Sequence, residues 1–171
     1  ISISNDVTTI QVYEVTTGLR PGEPVEGTGA PLCATLGPGI LRNIFDGIER
    51  PLKDIEKASG HFIAEGSSAP SLDQEKKWDV ALRVKPGDTV SGGMIYAVCP
   101  ETPAVEHRCL VPPALSGTVS WTAPDGAYTV RDVIAKVKDQ KGEEHELTLC
   151  QRWPIRSPRP VSRRLPISRP L

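Results

Sequence analysis

Apolar and polar residues alternate in several short stretches of the chain. "TTIQVYEVTTGL", residues 8–19, alternates and is rich in β-branched side chains, which is typical of a strand. "EGTGAPLCATLG", residues 26–37, predicts another short strand that Gly27 and Gly29 interrupt. The pattern therefore predicts a mainly β protein.

Helical spacing occurs only between these strands and the middle of the chain. One apolar set lies at helical spacing around Gly47: Ile40, Leu41, Ile44, Phe45 and Ile48. "PLKDIEKASG" predicts an amphipathic helix with Pro51 at its start and Gly60 just past its end. We therefore expect one or two short helices at 38–60.

An internal repeat organises the second half of the chain. "VKPGDTVSGGMIYAV" (84–98) matches "APDGAYTVRDVIAKV" (123–137) with one residue of slippage, and strands are expected in "AVEHRCLVPP" and "LSGTVSW" between them. Each copy predicts two short strands joined by a tight turn, and two copies facing each other predict a small flattened barrel-sandwich. Seven side chains are expected to point inward: Val90, Ile95, Val98, Val119, Val130, Ile134 and Val137.

The repeat resembles the lipoyl and biotinyl carrier domains, which share its V-x-x-G-D-x-V-x-x-G string. A carrier attaches its cofactor to a lysine at the hairpin tip between the copies. Here Pro103 stands near that tip, and no lysine occurs between Lys85 and Lys136. The resemblance therefore implies the fold but not the carrier function.

Composition agrees with a strand-rich globular protein. The 171 residues include 17 prolines and 15 glycines but only three Trp, three Tyr and two Phe, which argues against a large helical core. No run of eighteen apolar residues predicts a membrane span, and no secretory signal is visible. The start at Ile1 suggests a fragment of a longer chain.

Four cysteines leave two alternatives open. Cys33, Cys99, Cys109 and Cys150 show no C-x-x-C spacing and no nearby histidine that would complete a zinc pattern. We expect four reduced thiols of an intracellular protein. A disulfide between Cys99 and Cys109, across a hairpin, is the alternative.

The end of the chain is basic and rich in proline. No acidic residue follows Glu146. Six arginines, interleaved with prolines, follow it: Arg152, Arg156, Arg159, Arg163, Arg164 and Arg169. A nucleic-acid arm is one interpretation, but such arms usually carry lysines and aromatic side chains, and only Trp153 is present. We favour an extended linker toward another domain.

The sequence lacks the motifs that are typical of nucleotide-binding, catalytic or metal sites. There is no G-x-x-x-x-G-K-[ST] string, and Leu32 occupies the third glycine position of G-x-G-x-x-G. The three histidines, His61, His107 and His145, are far apart in sequence. Glu143, Glu144 and Glu146 surround His145 as in a metal or acid–base cluster, but a solvated turn entering a strand is the simpler interpretation. We predict no catalytic, cofactor-binding or metal-binding residue.

Five long strings carry a resemblance that covers the whole chain. They are "VYEVTTGLRPGEPVEGTGAPL", "LGPGILRNIFDGIERPL", "VKPGDTVSGG", "GEEHELTLCQRWPIRSPRP" and "RRLPISRPL". These strings resemble the catalytic A subunit of the archaeal and vacuolar-type rotary ATPases.

That resemblance implies a division of the chain and a role for it. Residues 1–37 would be the later strands of an N-terminal β-barrel, 38–60 a helical connector, 61–150 the bulge insertion and 151–171 a linker toward a nucleotide-binding domain. The full-length protein would use ATP and Mg²⁺ to drive proton or sodium transport, or to make ATP. This part would bind neither.

The resemblance also implies partners and a location. The partners would be other rotary ATPase subunits, namely the non-catalytic B subunit and the peripheral stalk, with no nucleic acid and no direct membrane insertion. The location would be the cytoplasmic face of a membrane-bound complex. The alternative is a freestanding barrel-sandwich module that binds a small molecule or a protein and has no catalytic activity.

Overall fold

A computed structural model describes residues 2–161 except 13, 14, 62, 64–66 and 68. Twelve strands and one α-helix are present in these residues: β1 (Ser2–Ser4), β2 (Val7–Thr9), β3 (Cys33–Leu36), α1 (Leu52–Ser59), β4 (Trp78–Leu82), β5 (Thr89–Val90), β6 (Ile95–Thr102), β7 (Val105–Leu110), β8 (Gly117–Thr122), β9 (Gly126–Tyr128), β10 (Ala135–Asp139), β11 (Glu144–Leu147) and β12 (Gln151–Pro154). No helix within them is long and apolar enough to cross a membrane.

Two four-stranded sheets form the body of the molecule, and we call them the module. One sheet has the order β11-β10-β8-β5 and the other β7-β6-β4-β9, with antiparallel pairing throughout. Two further pairs, β1 with β2 and β3 with β12, complete the strands. The prediction of a mainly β fold with a barrel-sandwich is confirmed, although the sheets do not close into a barrel.

The internal repeat explains how the two sheets are built. The first copy supplies β5 to one sheet and β6 to the other, and the second copy supplies β9 and β10 in the opposite assignment. Each copy therefore crosses between the sheets, and each sheet contains one strand from each copy.

The space between the sheets holds the hydrophobic core, and six of the seven predicted side chains are buried. Val90, Val119, Val130, Ile134 and Val137 are at most 3% exposed and belong to one continuous cluster, while Val98 is 6% exposed.

The prediction for Ile95 is wrong, because that side chain is 37% exposed. The pairing of β6 with β7 shifts register between Ile95 and Ala97. Such a shift breaks the alternation of inward and outward positions, and Tyr96 and Ala97 are both buried as a result.

The predicted helix after Pro51 is confirmed, but the preceding one is not. Helix α1 ends at Ser59 and is followed by Gly60, whose φ of 78° suits glycine. The helix buries Ile55. In place of a helix over 40–48 there is a single 3-10 turn, Ile40–Arg42. The side chain of Asp46 bonds to nearby backbone N–H groups and closes a turn instead.

The long strand predicted over 8–19 is wrong for most of its length. Only β2 overlaps it, and no strand occurs in 10–12 or 15–32; residues 13 and 14 lie outside the described part. Apart from Thr8 and Thr9, which pair with β1, no described residue of this segment lies beside a neighbouring strand, so its alternation has no sheet to support it. The second strand, β3, is shorter than predicted. The division at 37, 60 and 150 stays a prediction.

The two isoleucines that the repeat aligns provide a test of the core. Ile134 is fully buried and Ile95 is more than a third exposed. We expect Ile134→Ala to lower the free energy of unfolding by about 2–5 kcal/mol, because it removes buried methyl groups and leaves a cavity. The matched control Ile95→Ala should cost less than about 1.5 kcal/mol. Urea unfolding measures both, and equal losses would contradict the assignment.

Candidate functional site

The chain enters and leaves the module through one pair of strands, which we call the stem. Strand β3 pairs antiparallel with β12, so that Leu36 lies opposite Gln151 and Cys33 opposite Pro154. A further backbone bond from Ile155 N to Leu32 O, 3.0 Å long, continues the pair. Residues far apart in sequence are therefore neighbours at the base of the module.

Tight packing at Gly37, next to β3, fixes the stem against the module. A Cβ atom at Gly37 would lie 2.7 Å from Leu72 Cδ1 and 2.8 Å from Cys150 Cβ, so only glycine fits. The side-chain amide of Gln151 donates a hydrogen bond to the carbonyl of Leu110 at the end of β7. This glycine, one of the four in the loop 26–41, serves packing.

The "FDGIERPL" string at 45–52 folds into a compact turn. One carboxylate oxygen of Asp46 accepts the N–H groups of Ile48 and Arg50 at 3.0 and 2.8 Å, and the other pairs with Arg50 Nε at 2.7 Å. Glu49 has a positive φ of 65°. Its carboxylate accepts the N–H of Thr35 at 2.8 and 2.9 Å. The turn thus caps the outer edge of β3.

Glu101 is the buried charged residue of the described part of the chain, with a side chain 2% exposed. Its Oε1 accepts backbone N–H groups of Gly39 at 2.8 Å and Leu41 at 3.2 Å. Its Oε2 lies 3.6 Å from Nδ1 of His107 on the neighbouring strand. Glu101 therefore fastens residues 38–42, the first part of the predicted connector, to the sheet that contains β6 and β7. Gly39, at a φ of 102°, also packs against the ring of Trp78.

His107 is mostly neutral at neutral pH because of its surroundings. Burial lowers the pKa of His107 from its ordinary value, and the attraction and hydrogen bonding of Glu101 offset only part of this effect. The side chain is 20% exposed. Protonation of this imidazole therefore opposes folding, even though a carboxylate lies beside it.

The chain after the stem begins as ordered structure. Trp153 Nε1 donates to the carbonyl of Ser157 at 2.6 Å, and the guanidinium of Arg159 lies 4.9 Å from the Trp153 ring centre. Arg159 also contacts Gln151 Oε1 at 3.4 Å. At least one arginine of the basic end is thus used for internal packing. Arg163, Arg164 and Arg169 lie outside the described residues.

The four cysteines are free thiols, as predicted, and the alternative disulfide is wrong. Strand pairing sets Cys99 opposite His107 and Cys109 opposite Ala97, so the two thiols are not directly opposite each other. Burial raises the pKa of Cys99 to about 11 and that of Cys109 to about 12. Both thiols are therefore protonated and unreactive at neutral pH.

The three histidines lie on different elements and each contacts a different carboxylate. His61 Nδ1 is 3.4 Å from Glu56, while His145 Nε2 is 3.1 Å from Asp139. "KGEEHELTL" forms a turn that enters β11, as predicted. Glu144 and Glu146 pair with Lys136, and Glu144 also accepts from Ser120.

Sequence reasoning missed Glu101 and Glu49, the two carboxylates that hold the base of the module together. A signal existed for Glu101: it follows Ala97 and Cys99 at every second position, so it occupies the inward side of a strand. No periodicity could identify Glu49, because its partner Thr35 lies fourteen residues away on another element.

The residues that form the module match a known protein family. The family model of the ATPsynthase alpha/beta subunit barrel-sandwich domain matches residues 69–156, about half of the chain. The chain belongs to this family.

More specific relatives cover every residue of the chain. It is 52% identical over 171 residues to the A subunit of the A-type ATP synthase from Methanopyrus kandleri. The identity is also 52% to the V-type ATP synthase alpha chain of Halothermothrix orenii and to the A subunit of the A-type ATP synthase from Thermococcus onnurineus. In each case the chain spans 29% of the relative's length.

Removing the Glu101 carboxylate should release the connector. In Glu101→Ala two backbone N–H groups lose their acceptor, so we expect a loss of about 1–3 kcal/mol in the free energy of unfolding. The amides of Gly39 and Leu41 should also exchange with solvent faster. Glu106→Ala, on the adjacent strand with a side chain 48% exposed, is the control and should change neither. Protected Gly39 and Leu41 amides in Glu101→Ala would contradict this role.

The lowered pKa of His107 predicts a loss of stability in acid. The unfolded chain binds a proton at His107 near pH 6.5, whereas the folded chain resists it until lower pH. Stability should therefore fall as the pH drops below about 6.5, by linkage. His107→Gln should lose less stability than the unchanged chain between pH 7.5 and 5.5, by urea unfolding. His61→Gln, at an exposed position, should follow the unchanged chain, and identical pH profiles for all three would refute the prediction.

Proposed function

We propose that this chain is part of the catalytic A subunit of an A/V-type rotary ATPase, which couples ATP hydrolysis or synthesis to proton or sodium transport. Within that larger protein the chain is an assembly module that contacts its neighbours, namely the non-catalytic B subunit and the peripheral stalk. It works at the cytoplasmic face of the membrane-bound complex. The observation that carries the proposal is the stem, taken with 52% identity over the whole chain to the A subunit of an A-type ATP synthase.

The stem supports a module inserted into a larger protein. Because the entering strand β3 and the leaving strand β12 are hydrogen-bonded neighbours, their Cα atoms are about 5 Å apart. A host can therefore accommodate everything between Leu36 and Gln151 without moving its own chain ends. A unit held only at its base can project from the host toward other subunits.

Two of the four glycines in the glycine-rich loop 26–41 have packing roles. In the loop 26–41, Gly37 packs against Leu72 and Cys150, and Gly39 packs against Trp78. No lysine lies in this loop to meet a phosphate. ATP and Mg²⁺ therefore bind to other parts of the full-length protein.

A binding module without a host is the second candidate, and one observation favours it. An open groove of about 920 Å³ lies between the loop at 112–116 and the β10–β11 hairpin. A small molecule or a peptide segment could occupy it. This candidate predicts ligand binding by the isolated chain, whereas the assembly role needs a complex.

A deletion in a relative distinguishes the two functions. In the A subunit of the Methanopyrus kandleri synthase, the residues that correspond to 37–150 are replaced by a two-residue Asn-Gly turn, which suits a hairpin. The shortened protein should still bind Mg-ATP in isothermal titration but should fail to assemble with its partner subunits. The matched control carries residues 37–150 of this chain in the same place and should assemble.

The outcome of the assembly assay decides the proposal. A shortened protein that assembles and hydrolyses ATP as well as the control would contradict an assembly role. The 171-residue chain alone should give no saturable heat with Mg-ATP, and saturable heat would contradict the assignment of nucleotide binding to other parts of the full-length protein.

A further inference from the structure

The hairpin that joins β10 to β11 brings three potential metal ligands together. Asp139 ends β10, Glu143 precedes β11, and His145 lies within β11. One ligand atom from each of them lies within 4.8 Å of the other two. Neither the family description nor the names of the relatives assign a role to these residues.

The spacing of the nearest pair suits a shared ion. His145 Nε2 and Asp139 Oδ2 are 3.1 Å apart. A zinc-type ion binds histidine nitrogen and carboxylate oxygen at about 2.0–2.2 Å, so two ligands at tetrahedral or octahedral angles lie roughly 3–3.5 Å apart. Both atoms could therefore contact one ion with little movement.

The backbone of the turn fixes the orientation of Asp139. Its Oδ1 accepts the N–H groups of Lys141 at 2.8 Å and Glu143 at 2.9 Å, which leaves Oδ2 facing His145. A carboxylate whose orientation is already fixed is a better ligand than one that must be ordered on binding.

The surroundings provide room for the remaining ligands. Asp139 and His145 line the open groove of about 920 Å³. Three protein ligands leave positions on an ion for water, and the groove supplies space for it. One imidazole and two carboxylates form a donor set that suits zinc and other divalent transition metals better than calcium, which takes oxygen ligands alone.

From this geometry we propose that Asp139, Glu143 and His145 form a binding site for a divalent transition-metal ion of the zinc type, with water completing the coordination. The site would cross-link the tip of the β10–β11 hairpin beside the groove. This proposal is independent of the proposed assembly function. It also differs from the sequence prediction of no metal ligand, because a turn, rather than a spacing motif, brings these residues together.

Zinc titration of the 171-residue chain by isothermal calorimetry tests the site. We expect saturable binding of one ion per chain, and at least tenfold weaker binding in His145→Ala and in Glu143→Gln. Glu143 is exposed and its side chain is not part of the core, so the second variant keeps the experiment informative if the first one unfolds.

Two controls separate this site from other zinc ligands. His61→Ala removes the other exposed histidine, which has a carboxylate beside it but no third ligand among the described residues. A double variant, Cys33→Ser with Cys150→Ser, removes the partly exposed thiols. Both controls should bind zinc as the unchanged chain does.

Three results would overturn the proposal. They are no saturable zinc binding, unchanged binding in both His145→Ala and Glu143→Gln, and a loss of binding that occurs in the cysteine variant instead.

Discussion

The pairing of β3 with β12 is the constraint on which the rest of the structure depends. It joins Leu36 to Gln151 and so closes the intervening chain into one large loop. Closing a loop costs entropy that grows only slowly with its length. Once β3 and β12 are paired, both sheets and the connector must pack within the chain that lies between these two strands. Each copy of the repeat must also cross from one sheet to the other.

Two carboxylates, those of the buried Glu101 and the partly buried Glu49, hold the segments that surround the stem. Burying a charge is costly unless hydrogen bonds replace the water that it loses. Glu101 meets that condition through the N–H groups of Gly39 and Leu41. The partly buried Glu49 accepts the N–H of Thr35. The Glu101 contacts join residues about sixty positions apart, so they form only when β6 and residues 38–42 are both in place. The stem and the core therefore support each other.

The parts of the fold that sequence predicted well are those encoded by local patterns. Helix α1 has its proline and glycine boundaries, and the repeat placed Val90, Val130 and Val137 in the core. Periodicity failed where another interaction overrode it. A register shift exposes Ile95, and the Asp46 turn replaces a helix. The contacts of the candidate site were the hardest feature to predict from the sequence, because the partners of Glu101 lie some sixty residues away.

Native-state hydrogen exchange shows whether the stem and the module unfold together. The reporters are the amide of Ile155, which bonds to Leu32, and the core amides of Val119 and Ile134, which bond to Asp88 and Leu147. We expect the same opening free energy for all three amides, because the stem closes the loop that contains the core. If the opening free energy for Ile155 is lower than that of the core amides by more than about 2 kcal/mol, the stem frays on its own and does not unfold together with the module.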